Sequence, residues 1–276
     1  MTEPIPIDEA VEHFMTQTTK SSVAVVVPLY GYWNDVIDNP VNGEVLELVL
    51  QRIYSKVHHL YIIFVANPQS LPNDFGDSKS VANIIISKSQ GGNVKNIPVS
   101  RDATYTEYVR EGMEFALSAT NAQFVVVINP WVMIQEGGLD ALIERVNRAG
   151  DAKIVSGTNI RTLLQPGQEG EFDRYHVASP MERQETDFNF LGIARYAAEM
   201  ITFDPAYKTK DFLEVDIFQS MRAKGFAVIS SDQIPIFPFD FPWSDSVDRA
   251  MFEEDRAHFI KKWTFDCGLE YPYGEK

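Results

Sequence analysis

The chain has 276 residues, of which 45% are hydrophobic and 23% charged, a composition typical of a folded protein and unlike that of disordered chains. Its formal net charge of −15 repels phosphate backbones, which argues against nucleic acid as a partner. Cys267 is the only cysteine, so neither an intramolecular disulfide nor a thiolate metal site can form.

Three predicted elements open the chain after an N-terminal arm at 1–21. Ser22 to Pro28 is a continuous β-branched run that predicts a strand buried on both faces of a sheet. Glu44 to Val57 has apolar residues at helical spacing, and Leu60 to Ala66 is a second buried strand. Strand, helix and strand in this order predict a right-handed βαβ unit.

The same alternation continues through the middle of the chain. A short strand is predicted at Asn83–Ser87, a helix at Tyr105–Ala119 and an apolar strand at Gln123–Ile128. Leu139–Ala149 follows as a helix and Lys153–Ser156 as a strand. The pattern predicts an α/β fold with a mostly parallel, doubly wound sheet flanked by helices.

Residues 164–185 interrupt this alternation, because they are rich in Gly, Pro, Gln and charge and have no periodicity. They predict a long loop, and such loops in compact domains tend to be functional. A helix at Asp211–Lys224, a strand at Phe226–Ser230 and a charged helix at Ser246–Trp263 complete the prediction. We expect one domain at 22–243, with a C-terminal helical extension at 244–276 packed on it.

Four segments of the sequence resemble motifs of one enzyme family, and they occur in the order expected for that family. Val23 to Gly31 resembles the opening strand of family 2 glycosyltransferases, and the segment from Gly112 to Trp131 resembles the helix and central strand of the rhamnosyltransferase-like branch. Phe203 to Phe226 is similar to the family's acidic helix segment, and His258 to Trp263 to its Lys-Trp ending. The four matches span residues 22 to 263.

The resemblance implies a GT-A fold that binds a nucleotide-diphosphate sugar linked to UDP, GDP or dTDP. The implied reaction transfers a hexose or deoxyhexose, with inversion, to a glycan or lipid-linked acceptor. An Asp or Glu near the start of the later helix acts as general base in this family. No signal peptide and no membrane-spanning run is visible, so we expect a cytoplasmic protein, with peripheral attachment to a membrane left open.

Site residues follow from matching the family's motifs to this sequence. The catalytic candidates are Glu214, which matches the acid of the family's Glu-Asp pair, and Asp216, which matches the next acid. The candidates for nucleotide-sugar binding are Pro28, Tyr30, Asn67, Arg110, Asn129, Trp131, Lys261, Lys262 and Trp263.

The family's metal-binding acid is replaced in this sequence. Asn129 and Pro130 are kept after the central strand, but Trp131 stands where the metal-binding Asp belongs. Indole offers an N–H donor and no oxygen ligand, so no metal ligand is predicted, although Mg²⁺ or Mn²⁺ is the family's usual cofactor. An active enzyme would then have to stabilise the diphosphate with cationic side chains such as Arg101, Arg110, Lys261 or Lys262.

Other interpretations of the sequence stay open. The loss of acids at Ala66-Asn67 and at Trp131 fits a catalytically inactive GT-A-like binding protein, and a nucleotidyltransferase is disfavoured because the first turn lacks a glycine-rich loop. Glu214 and Asp216 could simply complement a helix dipole. Trp131 could be a packing residue, and Lys261 to Trp263 a solvated helix end.

Overall fold

The computed structural model describes residues 21–30, 48–66, 94–100, 103–148, 152–159, 182–183, 188–238 and 249–269. The strands are β1 (Ser22–Pro28), β2 (His59–Ala66), β3 (Val94–Pro98), β4 (Phe124–Ile128), β5 (Val132–Ile134), β6 (Ala152–Asn159), β7 (Glu182–Arg183), β8 (Phe190–Ala194) and β9 (Ala227–Pro238). The helices are α1 (Tyr105–Ala119), α2 (Gly138–Arg148), α3 (Arg195–Ala198), α4 (Lys210–Ala223) and α5 (Arg249–Trp263). Residues 48–52 are also helical. No helix among these residues is both long and apolar enough to cross a membrane.

All of these strands belong to one sheet in the order β3-β2-β1-β4-β8-β6-β9-β5, with β7 paired to β9. From β3 to β4 every pairing is parallel. β8 then runs antiparallel to both β4 and β6, whereas β9 runs parallel to β6. The predicted α/β sheet flanked by helices is confirmed, and the antiparallel β8 is an addition that the sequence analysis did not foresee.

The apolar run of β1 forms a central strand because both of its faces are covered. Val23, Val25 and Val27 lie in one core cluster, and Ala24 and Val26 lie in the cluster on the opposite face. Fully burying one such valine side chain contributes about 1.5–3 kcal/mol to folding. The parallel neighbours β2 and β4 pair with this strand on both sides, so β1 is an inner strand of the sheet.

Several predicted bounds shift for local reasons. α1 has the predicted bounds, but the helix expected to reach Val57 has already ended by 53–55. There the Ser55 hydroxyl accepts hydrogen bonds from the backbone N–H groups of Val57 and His58, which turns the chain into β2. β9 is twelve residues long instead of five, because it pairs with β5, β6 and β7.

Other predicted segments lie outside the described residues. These are the N-terminal arm up to residue 20, the strand at Asn83–Ser87, and the loop at 164–185 apart from 182–183, which form β7. The domain boundaries at 22–243 and 244–276 stay a prediction.

The C-terminal helix α5 packs against α4. Phe252 and Phe259 of α5 are buried against Phe212 of α4, with ring centroids 4.9 and 6.0 Å apart. The Asp255 carboxylate of α5 also accepts the backbone N–H of Thr209 at 2.7 Å, so it caps the N-terminus of α4. Burial raises the pKa of Asp255, and the hydrogen bonds from Thr209 and Lys208 oppose that rise.

Gly112 lets α1 approach the sheet closely. A Cβ at this position would collide with Val26 Cγ1 and lie 2.8 Å from Val65 Cγ2. We therefore expect Gly112→Ala to destabilise the protein by about 1–3 kcal/mol, although alanine has the higher helix propensity. Urea unfolding would measure the change in the free energy of unfolding.

Gly138 at the start of α2 is the matched control, because an added Cβ would lie at an ordinary 3.5 Å from Ile134 Cβ. Gly138→Ala should leave the stability unchanged or raise it slightly. Equal effects of the two substitutions would contradict the close-approach explanation.

Candidate functional site

The turn after the central strand β4 is organised by Asn129. Its backbone N–H donates to the Asn189 carbonyl at 2.9 Å, and its side-chain Oδ1 accepts the backbone N–H of Trp131 at 3.0 Å. An Asn that accepts from the backbone two residues on forms an Asx turn. Asn129 and Trp131 are both buried, at 5% and 4% exposure. The residues that follow β4 are therefore fixed on the carboxyl edge of the sheet, where ligands of open α/β sheets bind.

A chain of polar side chains links this turn to α4. The Asn189 Oδ1 accepts the Asn129 amide at 3.0 Å and the Lys210 ammonium at 2.7 Å. Lys210 Nζ also lies 3.4 Å from Glu214 Oε1, one helical turn further along α4. The Lys210 and Glu214 side chains are 15% and 8% exposed. We call these four residues the edge network; it brings Glu214 to the carboxyl end of β4.

Trp131 lies within the apolar core cluster beside this network. Its burial agrees with the packing interpretation, and its role as a platform for a base or sugar stays a prediction. Its indole supplies no oxygen to a metal ion. Among the described residues no group of three or more His, Cys, Asp and Glu side chains could hold a metal. The residues at the end of β4 therefore do not fit a divalent cation.

Asp216, the second catalytic candidate, faces α5 instead. Two residues apart on an α-helix correspond to about 200° of rotation, so Glu214 and Asp216 point to opposite sides of α4. Asp216 Oδ1 accepts hydrogen bonds from Trp263 Nε1 at 2.7 Å and from the Tyr207 hydroxyl at 3.2 Å. Its Oδ2 accepts the Lys262 ammonium at 2.9 Å. Asp216, Lys262 and Trp263 are thus brought together, in contacts that join α4 to α5.

Asp204 completes this second group of residues, which we call the interhelix cluster: Asp204, Tyr207, Asp216, His258, Lys262 and Trp263. The Lys262 ammonium bridges Asp204 and Asp216, at 2.9 Å from each. Burial raises the pKa of Asp204, but hydrogen bonds from His258 and Lys262 outweigh it and lower that pKa to about 2. Burial, followed by the charge of Asp216, raises the pKa of Tyr207.

The remaining predicted site residues lie in different parts of the structure. Pro28 and Tyr30 lie at the carboxyl end of β1, on the same edge as Asn129, and Tyr30 meets the rings of Tyr105 and Tyr108 edge-on. Burial raises the pKa of Tyr30.

Arg110 lies on the partly exposed face of α1 and pairs with Glu111 and Glu114. Lys261 is exposed near the end of α5. Among the described side chains, no hydrogen bond or ion pair joins Arg110 or Lys261 to the edge network. Asn67 lies outside the described residues.

Two members of the edge network, Lys210 and Asn189, were not predicted from the sequence. Lys210 precedes Glu214 by four residues, and this helical pair spacing is a signal that could have identified it. Asn189 carried no signal, because its partner Asn129 lies sixty residues away in sequence.

The pKa of Asp204 predicts an acid-sensitive interhelix cluster. Because the folded pKa lies near 2, below the ordinary value of 3.8, the ionised Asp204 stabilises the fold above about pH 4, and this contribution is lost as the pH falls to about 2. Asp204→Asn should lower the stability at neutral pH and flatten its dependence between pH 4 and 2. Urea unfolding at a series of pH values measures both effects.

The exposed acid Glu114 provides the control for this experiment. Glu114→Gln should keep the pH slope of the parent protein. If Asp204→Asn also kept the parent's slope, the assignment of this acid sensitivity to Asp204 would be wrong.

Comparisons with known proteins support the fold. No protein-family model and no curated protein sequence matches this chain. Glucosyl-3-phosphoglycerate synthase from Mycobacterium tuberculosis, solved with phosphoglyceric acid, is similar in structure, with a TM-score of 0.51, 13% identity and coverage of 98% of this chain and 88% of that one. The same enzyme with Mn²⁺, UDP and glucosyl-3-phosphoglycerate gives a TM-score of 0.50, 14% identity and the same coverage. The chain therefore has the fold of GT-A nucleotide-sugar transferases.

Proposed function

We propose that this protein is a glycosyltransferase that moves a sugar from a nucleotide-diphosphate donor to an acceptor hydroxyl, with inversion. The observation that carries the proposal is the edge network, which holds the Glu214 carboxylate at the carboxyl end of β4. In a GT-A fold this edge faces the donor. The similar solved enzyme was crystallised with UDP, which supports a nucleotide sugar as the donor here.

The chemistry needs one base and one leaving group. Glu214 takes the proton of the acceptor hydroxyl while that oxygen attacks the anomeric carbon of the sugar. The bond from this carbon to the β-phosphate oxygen breaks, and the nucleoside diphosphate leaves with the electron pair. Attack opposite the leaving group inverts the configuration. Asp216 belongs to the interhelix cluster, so in this proposal it positions α4 rather than touching substrate.

For the donor and the acceptor we propose classes of compound rather than single molecules. UDP-, GDP- and dTDP-linked hexoses and deoxyhexoses are the candidate donors, and Pro28, Tyr30 and Asn67 are the residues that we propose contact the nucleoside. The resemblance to rhamnosyltransferase-like sequences favours a deoxyhexose and a glycan or lipid-linked acceptor. The phosphoglyceric acid bound to the similar enzyme adds a phosphorylated hydroxy acid to the acceptors to be tried.

A second candidate is a GT-A-like protein that binds a nucleotide sugar without transferring it. Two features favour it: Trp131 matches the family's metal-binding acid in the sequence comparison, and the Lys210 ammonium lies 3.4 Å from the Glu214 carboxylate. Binding without turnover across the donor and acceptor panel would support this candidate.

Glu214→Gln tests the proposed base. We expect the transfer rate to fall about 10²- to 10⁴-fold, because the amide cannot accept the proton, while the dissociation constant for the nucleoside diphosphate changes little. Release of UDP, GDP or dTDP from the matching sugar donors measures transfer, and calorimetry measures binding.

Glu199→Gln, an exposed acid that pairs with Arg195 on α3, is the control and should keep the parent's rate. Full transfer activity of Glu214→Gln would remove Glu214 as the base. A folded parent protein that binds none of the three nucleoside diphosphates would refute the glycosyltransferase proposal.

A further inference from the structure

We infer that Lys210 is the cation that holds the diphosphate of the donor, in the place where other enzymes of this fold use a divalent metal. This inference rests on the proposed glycosyltransferase function and deepens it. It makes donor binding independent of metal and assigns diphosphate recognition to a residue that no motif indicated. Three features support it: the described residues around Trp131 lack a set of metal ligands, Lys210 lies at the carboxyl end of β4, and the other candidate lysine and arginine side chains that the structure describes pair with other acids or lie elsewhere.

The end of β4 has the wrong donor set for a metal. Mg²⁺ and Mn²⁺ prefer carboxylate and other oxygen ligands, whereas Trp131 offers only an N–H group. Glu214 is the one acid of the edge network, and Lys210 lies 3.4 Å from it. A divalent cation bound at this carboxylate would sit beside an ammonium of the same sign, at a separation where repulsion is strong in a buried site.

Lys210 is held in a fixed position at this edge. Its Nζ donates to Asn189 Oδ1 at 2.7 Å, and the same oxygen accepts the Asn129 amide at 3.0 Å. Its side chain is only 15% exposed, so its charge is less screened than that of a surface lysine. A fixed, partly desolvated cation at the carboxyl end of the central strand can stabilise the charge that develops on a leaving diphosphate.

The N-terminus of α4 does not compete for this role. The backbone N–H groups of Lys208 and Thr209 both donate to the Asp255 carboxylate, at 3.0 and 2.7 Å. An acid of α5 thus lies at this helix end, and its negative charge would repel a phosphate. The Lys210 ammonium therefore supplies the positive charge at this end of α4.

The cations suggested by the sequence are engaged elsewhere. Arg110 pairs with Glu111 and Glu114, and hydrogen bonding to Glu111 raises its pKa. Lys262 bridges Asp204 and Asp216 in the interhelix cluster. Moving Lys262 to a phosphate would break its hydrogen bonds to two acids at once and separate α4 from α5. Lys261 is exposed, and Arg101 lies outside the described residues.

The Lys210–Glu214 pair also couples the two steps of the proposed reaction. A diphosphate oxygen carries negative charge and can replace the Glu214 carboxylate as the partner of the ammonium. The ammonium has three N–H donors, so it can donate to the diphosphate and keep its bond to Asn189, which makes the Glu214 carboxylate available for the acceptor hydroxyl. Donor binding then prepares the base, so that the acceptor is deprotonated only when a donor is present.

Calorimetry with UDP, GDP and dTDP, in EDTA and again with Mn²⁺, tests this inference. The parent protein should bind at least one of the three in EDTA, with an affinity that Mn²⁺ changes less than about twofold. Lys210→Met should weaken this binding about tenfold or more, the loss expected for a hydrogen bond to a charged group, and should leave the binding of the free nucleoside unchanged. Lys224→Met, at the exposed far end of α4, is the matched control and should bind like the parent.

Because Lys210→Met leaves Glu214 without its ion-pair partner, a second comparison removes both charges. The double variant Lys210→Met/Glu214→Gln should bind the nucleoside diphosphate about tenfold more weakly than Glu214→Gln alone. Circular dichroism and thermal unfolding confirm that each variant is folded.

The outcomes separate this inference from the proposed function. Diphosphate binding that requires Mn²⁺, or that Lys210→Met does not weaken, overturns the role of Lys210 while glycosyl transfer still stands. Failure of the folded parent to bind any of the three nucleoside diphosphates overturns both. Binding in EDTA that depends on Lys210, without transfer, supports the inference for a binding protein instead of an enzyme.

Discussion

The antiparallel pairing of β8 with β4 is the constraint on which the candidate site depends. Phe190 pairs with Ile128, so the residues just outside this register, Asn189 and Asn129, are brought side by side at the carboxyl edge of the central strand. Their backbone and side-chain hydrogen bonds then fix the turn that carries Trp131. A slip of one residue would send every side chain of β8 to the other face of the sheet, and Asn189 would lose both partners.

Helix α4 makes polar contacts on two sides, because its acids Glu214 and Asp216 lie on opposite faces. Glu214 faces the edge network, whereas Asp216 faces α5 and is saturated by Tyr207, Lys262 and Trp263. The contacts to α5, together with the cap from Asp255, fix the position of α4 at its N-terminal end. The charged C-terminal helix therefore helps to hold α4, the helix that carries Lys210 and Glu214, in its position.

The fold and the chemistry at its edge differ in how far they agree with known enzymes. The chain shares a fold with a nucleotide-sugar transferase at 13% identity, a level at which the framework persists while individual site residues change. At the end of β4 the chain has a buried tryptophan, Trp131, and the Lys210 ammonium is linked to the same turn through Asn189. In the proposed reaction, the Lys210 ammonium would meet the charge of the leaving diphosphate that a divalent cation meets in a metal-dependent enzyme.

The sequence by itself determined the parallel half of the sheet, because the runs at Ser22–Pro28 and Phe124–Ile128 are apolar on both faces and fit only buried strands. It also predicted Glu214 as a base candidate and Trp131 as a substituted position, because both lie within short motifs that are contiguous in sequence. Only the tertiary structure revealed β8, because its five-residue run gives no periodic signal in the sequence. The structure also shows that Glu214 and Asp216 lie on opposite faces of α4. The hydrogen bonds that link Lys210 through Asn189 to Asn129 are also visible only in the folded chain, because bonds between residues distant in sequence leave no local pattern.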